Sequence, residues 1–201
     1  MFNTKDFYIT SDLHLGGKSR GYDSADDHDQ AIIDGIMGIP DNSTLIVLGD
    51  IAACDDSSAL NTLASIKRDK GLTLVLTPGD RDAAHPMHGY SSKDWVTRYK
   101  DVFDYVQTSY TINVDGVRLV LGHFPQWGSH AMNFNYEDIT TKRWWGIKGG
   151  VNVHGHTRSS DVLVRGHVNV SPDAHDMRPI HVSDLVSYAK DSKKFFSLPK
   201  N

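Results

Sequence analysis

Apolar and polar positions follow two regimes along the chain. In the first, short apolar runs alternate with segments of helical periodicity. Residues 7–10, 44–48 and 72–76 read as strands, and the second of these is an unbroken apolar run, as expected of a strand buried on both faces. A helix is predicted from Ser24, an N-cap with Asp26 and Asp27 in the first turn to complement the helix dipole. Its apolar residues Ala31, Ile32, Ile36 and Ile39 keep near-helical spacing, and Pro40-Asp41-Asn42 ends it. A second helix is predicted over 57–67, with Leu60, Leu63, Ala64 and Ile66 inward, and a third over 92–99, carrying Trp95 and Val96. This β-α-β-α-β order with short connections predicts a sheet whose strand ends border a ligand crevice.

From Phe103 the period changes. Residues 105–114 and 117–121, joined by Asp115-Gly116, read as a hairpin. Residues 151–153, 162–164 and 168–170 are further short strands, with Arg165-Gly166 as a turn. The pattern predicts an α/β chain of two sheets, one fed by crossovers and one antiparallel, packed face to face with helices outside. Residues 127–150 are irregular and hold Trp127, Trp144 and Trp145, which suits a functional loop or lid. These tryptophans read as packing, with the alternative that one covers a nucleobase. The expectation is a single domain over 1–201 with 191–201 as a peripheral tail.

Charge narrows the function classes. Lys+Arg 21 against Asp+Glu 25 gives a net charge of -4, with no basic excess to track a nucleic-acid backbone. A short nucleotide substrate stays compatible; a stable nucleic-acid partner is not expected. No apolar run is long enough to span a membrane, and the N-terminus lacks the apolar core of a secretory signal, so a cytoplasmic location is expected. Cys54 is the sole cysteine, which excludes an intrachain disulfide and Cys-based zinc sites. The 11 His residues supply the commonest metal ligand.

Chemistry gathers where the apolar runs stop. Asp12-Leu13-His14 follows the first strand, and period-two alternation would point its carboxylate and imidazole the same way. Later runs end in Gly49-Asp50, Gly79-Asp80-Arg81-Asp82, Gly122-His123 and Gly155-His156. This ordered series resembles the calcineurin-like metallophosphoesterases, whose motifs run DxH, GD, GNH[DE], H and GHxH. The resemblance covers about residues 7–158. It implies a four-layer α/β/β/α sandwich of two mixed sheets around a dinuclear centre. Carried over by position, Asp12 and His14 would hold one metal, Asp50 would bridge, and Asp80, His123 and His156 would complete the second. Mn²⁺ is the expected ion, with Fe, Zn²⁺ or Ni²⁺ as alternatives. Such a pair, roughly 3.5–4 Å apart, polarises a phosphoryl oxygen and activates water for in-line attack.

Three positions depart from the family pattern. Asp80 replaces the usual Asn and brings an anionic ligand. Arg81 replaces the His that protonates the leaving oxygen; a guanidinium cannot donate that proton, but it can grip phosphate and stabilise developing charge. Arg158 replaces the last His of GHxH, leaving the first metal with three protein ligands. His154 is a substitute ligand or a supporting and substrate-binding residue, and Arg158 a substrate-binding one. Arg81 could instead pair with Asp82 or Asp55, and Asp80 with Arg81 or Arg158.

Without the acid, monoesters with alkoxide leaving groups should be poor substrates. The expected substrate is a small phosphodiester, a 2′,3′-cyclic nucleotide or similar ester with a good leaving group. Alternatives are a silent metal- and phosphate-binding protein, or a monoesterase or nuclease of the same fold; self-association is left open. Elsewhere, His28 and His181 read as satisfied polar residues, His167 as strand surface, and Lys18 and Arg20 as either anion contacts or solvated; His175 has no assignable role.

Overall fold

The computed structural model describes residues 2–125, 150–164 and 167–197. The expected loop at 127–150, with Trp127, Trp144 and Trp145, and the turn Arg165-Gly166 lie outside the described residues, apart from Gly150. Strands β1 (Tyr8–Thr10), β2 (Thr44–Val47) and β3 (Thr73–Leu76) are linked by helices α1 (Ala25–Met37) and α2 (Asp56–Lys70). Helix α3 (Ser92–Val102) leads to β4 (Tyr105–Val106). Then come β5 (Tyr110–Val114), β6 (Val117–Leu121), β7 (Val151–His154), β8 (Leu163–Val164), β9 (His167–Asn169), β10 (Ile180–His181) and helix α4 (Val182–Ser197).

The fold is mixed α/β with two mixed sheets, ordered β10-β1-β2-β3-β4 and β5-β6-β7-β9-β8. In the first, β1 to β4 pair in parallel and β10 is antiparallel to β1. The second sheet is not antiparallel throughout as expected: β6–β7 and β7–β9 are parallel, while β5–β6 and β8–β9 are antiparallel. Parallel neighbours cannot be joined by a tight hairpin turn, and β7 and β9 are separated in the chain by β8, which pairs with β9 on its far side. The single strand expected over 105–114 divides. After Val106 the chain leaves the first sheet, where Asp104 bonds Leu74 and Gln107 N–H donates to Leu76 C=O, and enters the second at Tyr110. Continuous alternation carries no mark of a change of partner.

Helix ends follow local chemistry. Ser24 Oγ accepts from Asp27 N–H at 3.0 Å at the start of α1. Helix α2 runs beyond its last apolar turn, with basic Lys67, Arg68 and Lys70 complementing its C-terminal dipole, and stops at Gly71 in left-handed backbone (φ 65). Helix α4 is unexpected, and residues 191–197 of the expected tail continue it. Among the described residues, no helix is long and apolar enough to cross a membrane.

Strand alternation sorts the apolar residues into two clusters. Ile9, Ile46, Leu48 and Val75 join Leu119, Leu121, Val153 and Val168 of the second sheet and Leu185, Val186 and Ala189 of α4. Leu45, Val47, Leu74 and Leu76 pack instead with Ile32, Ile36, Leu60, Leu63, Tyr99 and Val102 from α1, α2 and α3. The opposite face of β7 and β9 carries buried Asn152, His154, His167 and Asn169.

His167 is therefore buried rather than at the strand surface, because Val168 beside it takes the apolar face. Burial holds its imidazole down at about 4. Above pH 6.5 folded and unfolded forms are both neutral and stability is full. As pH falls toward 4, only the unfolded chain takes the proton, so stability should drop by about 1.4 kcal/mol per pH unit. Urea midpoints at pH 7 and 4.5 should show this slope reduced in His167→Gln; an unchanged slope would contradict it.

Candidate metal centre

The candidate ligands sit past the ends of five parallel strands or their extensions. Backbone bonds continue the ladder there: Asp12 N–H donates to Gly49 C=O at 2.8 Å, and His14 N–H to Asp50 C=O at 3.0 Å. Gly155 N–H donates to His123 C=O at 3.0 Å, and His156 N–H crosses to Asp12 Oδ2 at 2.9 Å. Asp12 (φ 50), His14 (φ 46), Asp50 (φ 54) and His156 (φ 63) all have left-handed backbone. Asp and His tolerate that region better than most side chains, yet each such residue costs roughly 1–3 kcal/mol unless its surroundings enforce it. Thus Asp12 and His14 meet through two left-handed residues, not through strand pleating. The neighbouring glycines permit close approach: a Cβ on Gly79 would overlap Asp50 Oδ1 and the His123 ring, and one on Gly155 would overlap Asp12 Oδ2.

Among the described residues, two groups could hold a metal ion: Asp12, His14 and Asp50, and Asp80, His123 and His156. In the first, His14 Nε2 lies 3.7 Å from both Asp12 Oδ1 and Asp50 Oδ2. In the second, Asp80 Oδ1 lies 3.1 Å from His123 Nε2 and 3.2 Å from His156 Nδ1. Asp50 faces both, since its Oδ1 is 3.6 Å from His123 Nε2 while its Oδ2 faces His14. Among the described residues, buried Asp12 Oδ1 and His14 Nε2 have no hydrogen-bond partner. A divalent cation would satisfy both atoms, and this mixed carboxylate and imidazole set suits such an ion.

The electrostatics tell the same story. Burial alone would raise all three carboxyls, and Asp50 is indeed raised. Burial is outweighed at Asp12 by His14, His123 and Ser11, and at Asp80 by His123 and His156, so both lie well below the usual carboxylate range. Burial would lower His123, but Asp80, Asp12 and Asp50 push it up to about 10. Clustered carboxylates thus hold a proton where a metal could replace it. His123 Nδ1 meets Leu48 C=O at 2.7 Å; donating there leaves Nε2 facing the centre as a ligand.

Arg81 is 57% exposed; its Nε lies 4.0 Å from Asp50 Oδ2 and its Nη1 reaches Ala53 C=O at 3.5 Å, so its side chain pairs with neither Asp82 nor Asp55. Asp80 pairs with the two imidazoles, not with Arg81 or Arg158. Arg158 is exposed and bonds Ser19 Oγ on the glycine-containing loop. His154 is fully buried on β7, its Nδ1 2.8 Å from Gly155 C=O and its ring 6.4 Å from His167, and it joins neither of the two ligand groups. His28 and His181 are hydrogen-bonded, as is His175, through Asn169 C=O.

Several supporting residues went unrecognised. Arg20 is not solvated but engaged within the protein: its Nε and Nη2 lie 2.9 Å from the carboxylate oxygen Asp173 Oδ2, and Nη2 donates to Asp12 C=O at 2.7 Å. Arg20→Ala should lower the unfolding free energy by about 3 kcal/mol by stranding Asp173 and freeing the Asp12 backbone. A urea midpoint equal to wild type would refute this. Asp82 lies within the Gly79–Asp82 block, and besides Gly79 N–H of that block it accepts from Asp50 and Ile51 N–H, more than thirty residues earlier.

No family model matches the chain, and no curated protein matches it. Among solved structures, a protein of unknown function from Aquifex aeolicus is similar at 16% identity and a TM-score of 0.62, over 92% of this chain and 99% of that one. The fold is thus shared with a natural protein of nearly equal extent. An archaeal phosphodiesterase described as novel is 16% identical over 83% of this chain and 82% of its own, with a TM-score of 0.41, too loose an overlap to carry an argument.

Proposed function

We propose that the chain is a metal-dependent phosphodiesterase of the calcineurin-like type, with the four-layer α/β/β/α arrangement, acting on a small diester with a good leaving group such as a 2′,3′-cyclic nucleotide. The observation that carries this reading is the pair of buried, unpartnered atoms, Asp12 Oδ1 and His14 Nε2, beside a carboxylate that also faces the second group. In this reading Asp12, His14 and Asp50 hold one divalent ion, and Asp50, Asp80, His123 and His156 the other, with Mn²⁺ foremost. When bound, the ions supply Lewis acidity and an activated water.

The chain's own residues do the rest. Asp50 holds the two sites in register, with Arg81 N–H donating to its Oδ1 at 3.1 Å. The Arg81 guanidinium, exposed beside Asp50, binds the phosphate and stabilises charge developing in the transition state. Arg158 offers a second cation at the Ser19 side of the pocket. With no imidazole at position 81, the leaving group departs with little proton assistance, which favours aryl or strained diesters.

The test is Mn²⁺-dependent release of nitrophenol from bis-p-nitrophenyl phosphate, with phosphate release from an alkyl monoester such as glycerol phosphate alongside. Faster diester turnover is expected. Metal binding without turnover of either ester would mark the protein as a silent binder instead, and faster monoester turnover would overturn the substrate assignment.

A further inference from the structure

Behind the ligand loops lies a buried network that ends on a hydroxyl of α3. Asp82, fully buried, accepts from Asp50 N–H at 2.9 Å and Gly79 N–H at 2.7 Å through Oδ2, and from Ile51 N–H at 2.9 Å through Oδ1. One carboxylate therefore ties the loop carrying Asp50 to the loop carrying Asp80. Asp56, at the start of α2, accepts from Ala83 N–H at 2.8 Å and so holds the far side of the second loop. Tyr99 touches both: its hydroxyl lies 2.8 Å from Asp56 Oδ2 and 3.4 Å from Asp82 Oδ1. The shorter contact takes its single proton. Its ring is buried, stacked on Phe103 with centroids 6.2 Å apart and edge-on to Trp95 at 6.5 Å.

We infer that Tyr99 is a positioning residue for the metal centre, its hydroxyl setting the spacing of the Asp50 and Asp80 loops through Asp56 and Asp82. This role rests on the metal-dependent reading above. The packed ring gives the hydroxyl a fixed address, so the two carboxylates, and the backbone bonded to them, have one arrangement rather than several. Asp50 needs such restraint, since its left-handed backbone must be enforced from outside. Small displacements of such groups are costly in rate: about 1 Å of misplacement can lose roughly 10²-fold.

Tyr99→Phe deletes one oxygen and keeps the ring, so packing with Phe103 and Trp95 survives. Titration of the full-length chain with Co²⁺, followed by its visible absorption, reads the ligand geometry without any substrate. The Phe variant should bind Co²⁺ about 10-fold more weakly, with an altered absorption band, the scale of effect that partners supporting metal ligands show. With Mn²⁺, kcat should fall more than KM changes. Asp56→Asn, which keeps shape and removes a charge, should act in the same direction. Val102→Ala, a packing change on the same helix, should lower the melting temperature but leave the Co²⁺ spectrum intact. A wild-type spectrum and affinity in Tyr99→Phe would overturn the positioning role while leaving the metal centre standing. Failure of the unmutated chain to bind Co²⁺ would remove the centre, and this role with it.

Discussion

Asp50→Asn should abolish hydrolysis of bis-p-nitrophenyl phosphate and release at least one metal ion from the centre. The carboxylate presents Oδ2 to His14 and Oδ1 to His123, at 3.7 and 3.6 Å, so it faces both groups. An amide leaves a single ligating oxygen and removes a negative charge, so one ion loses a ligand and both lose electrostatic support. The fall in kcat should exceed the roughly 10–100-fold that follows loss of a mere supporting partner. Stability should move the other way. Burial and the neighbouring carboxylates Asp12 and Asp80 raise Asp50, so the metal-free protein gains when that charge is deleted. A variant that melts no lower than wild type without metal, yet neither holds two ions nor turns over, is the expected combination. Full activity would show that Asp50 is not shared between sites.

Arg81→His should raise monoester turnover relative to diester turnover by about 10²-fold, the lower end of what a positioned general acid contributes. The Arg81 side chain lies over the mouth of the centre, with Nε 4.0 Å from Asp50 Oδ2, and a shorter imidazole there could reach a leaving oxygen. The guanidinium offers charge without a transferable proton, so an alkoxide must leave unprotonated. Diesters with nitrophenol leaving groups need that proton less and should lose activity as the phosphate contact weakens. Phosphate release from an alkyl monoester such as glycerol phosphate, paired with nitrophenol release from bis-p-nitrophenyl phosphate, would measure the ratio. An unchanged ratio would refute the leaving-group explanation of the substrate preference.

Much of this centre is legible in the sequence because the candidate ligands lie just past apolar runs, and four of them, Asp50, Asp80, His123 and His156, follow a glycine. Asp12, His14, Asp50, Asp80, His123 and His156 all come into two adjoining groups. Other features depend on information that local patterning lacks. Period-two alternation brings Asp12 and His14 together for the wrong reason, since both have left-handed backbone. The apolar spacing of Val182, Leu185, Val186 and Ala189 is helical in the sequence too, but the lysines beyond it make 191–201 read as a peripheral tail rather than the helix's continuation. Arg20 looks like a loop cation until Asp173, far along the chain, is placed against it. His167 is polar in a short strand and reads as exposed; only the pairing of β7 with β9 puts it beside buried His154. For Asp82, the decisive partners are the backbone N–H groups of Asp50 and Ile51, a segment distant in sequence that no residue pattern links to it.

Metal content per chain, measured by elemental analysis after loading with Mn²⁺ and removing free ion, most directly tests whether the two groups form one centre. Two ions per chain in the wild type, falling in Asp50→Asn, is the expected result. A chain that retains no metal under conditions where it stays folded would contradict the centre, and with it the proposed hydrolysis.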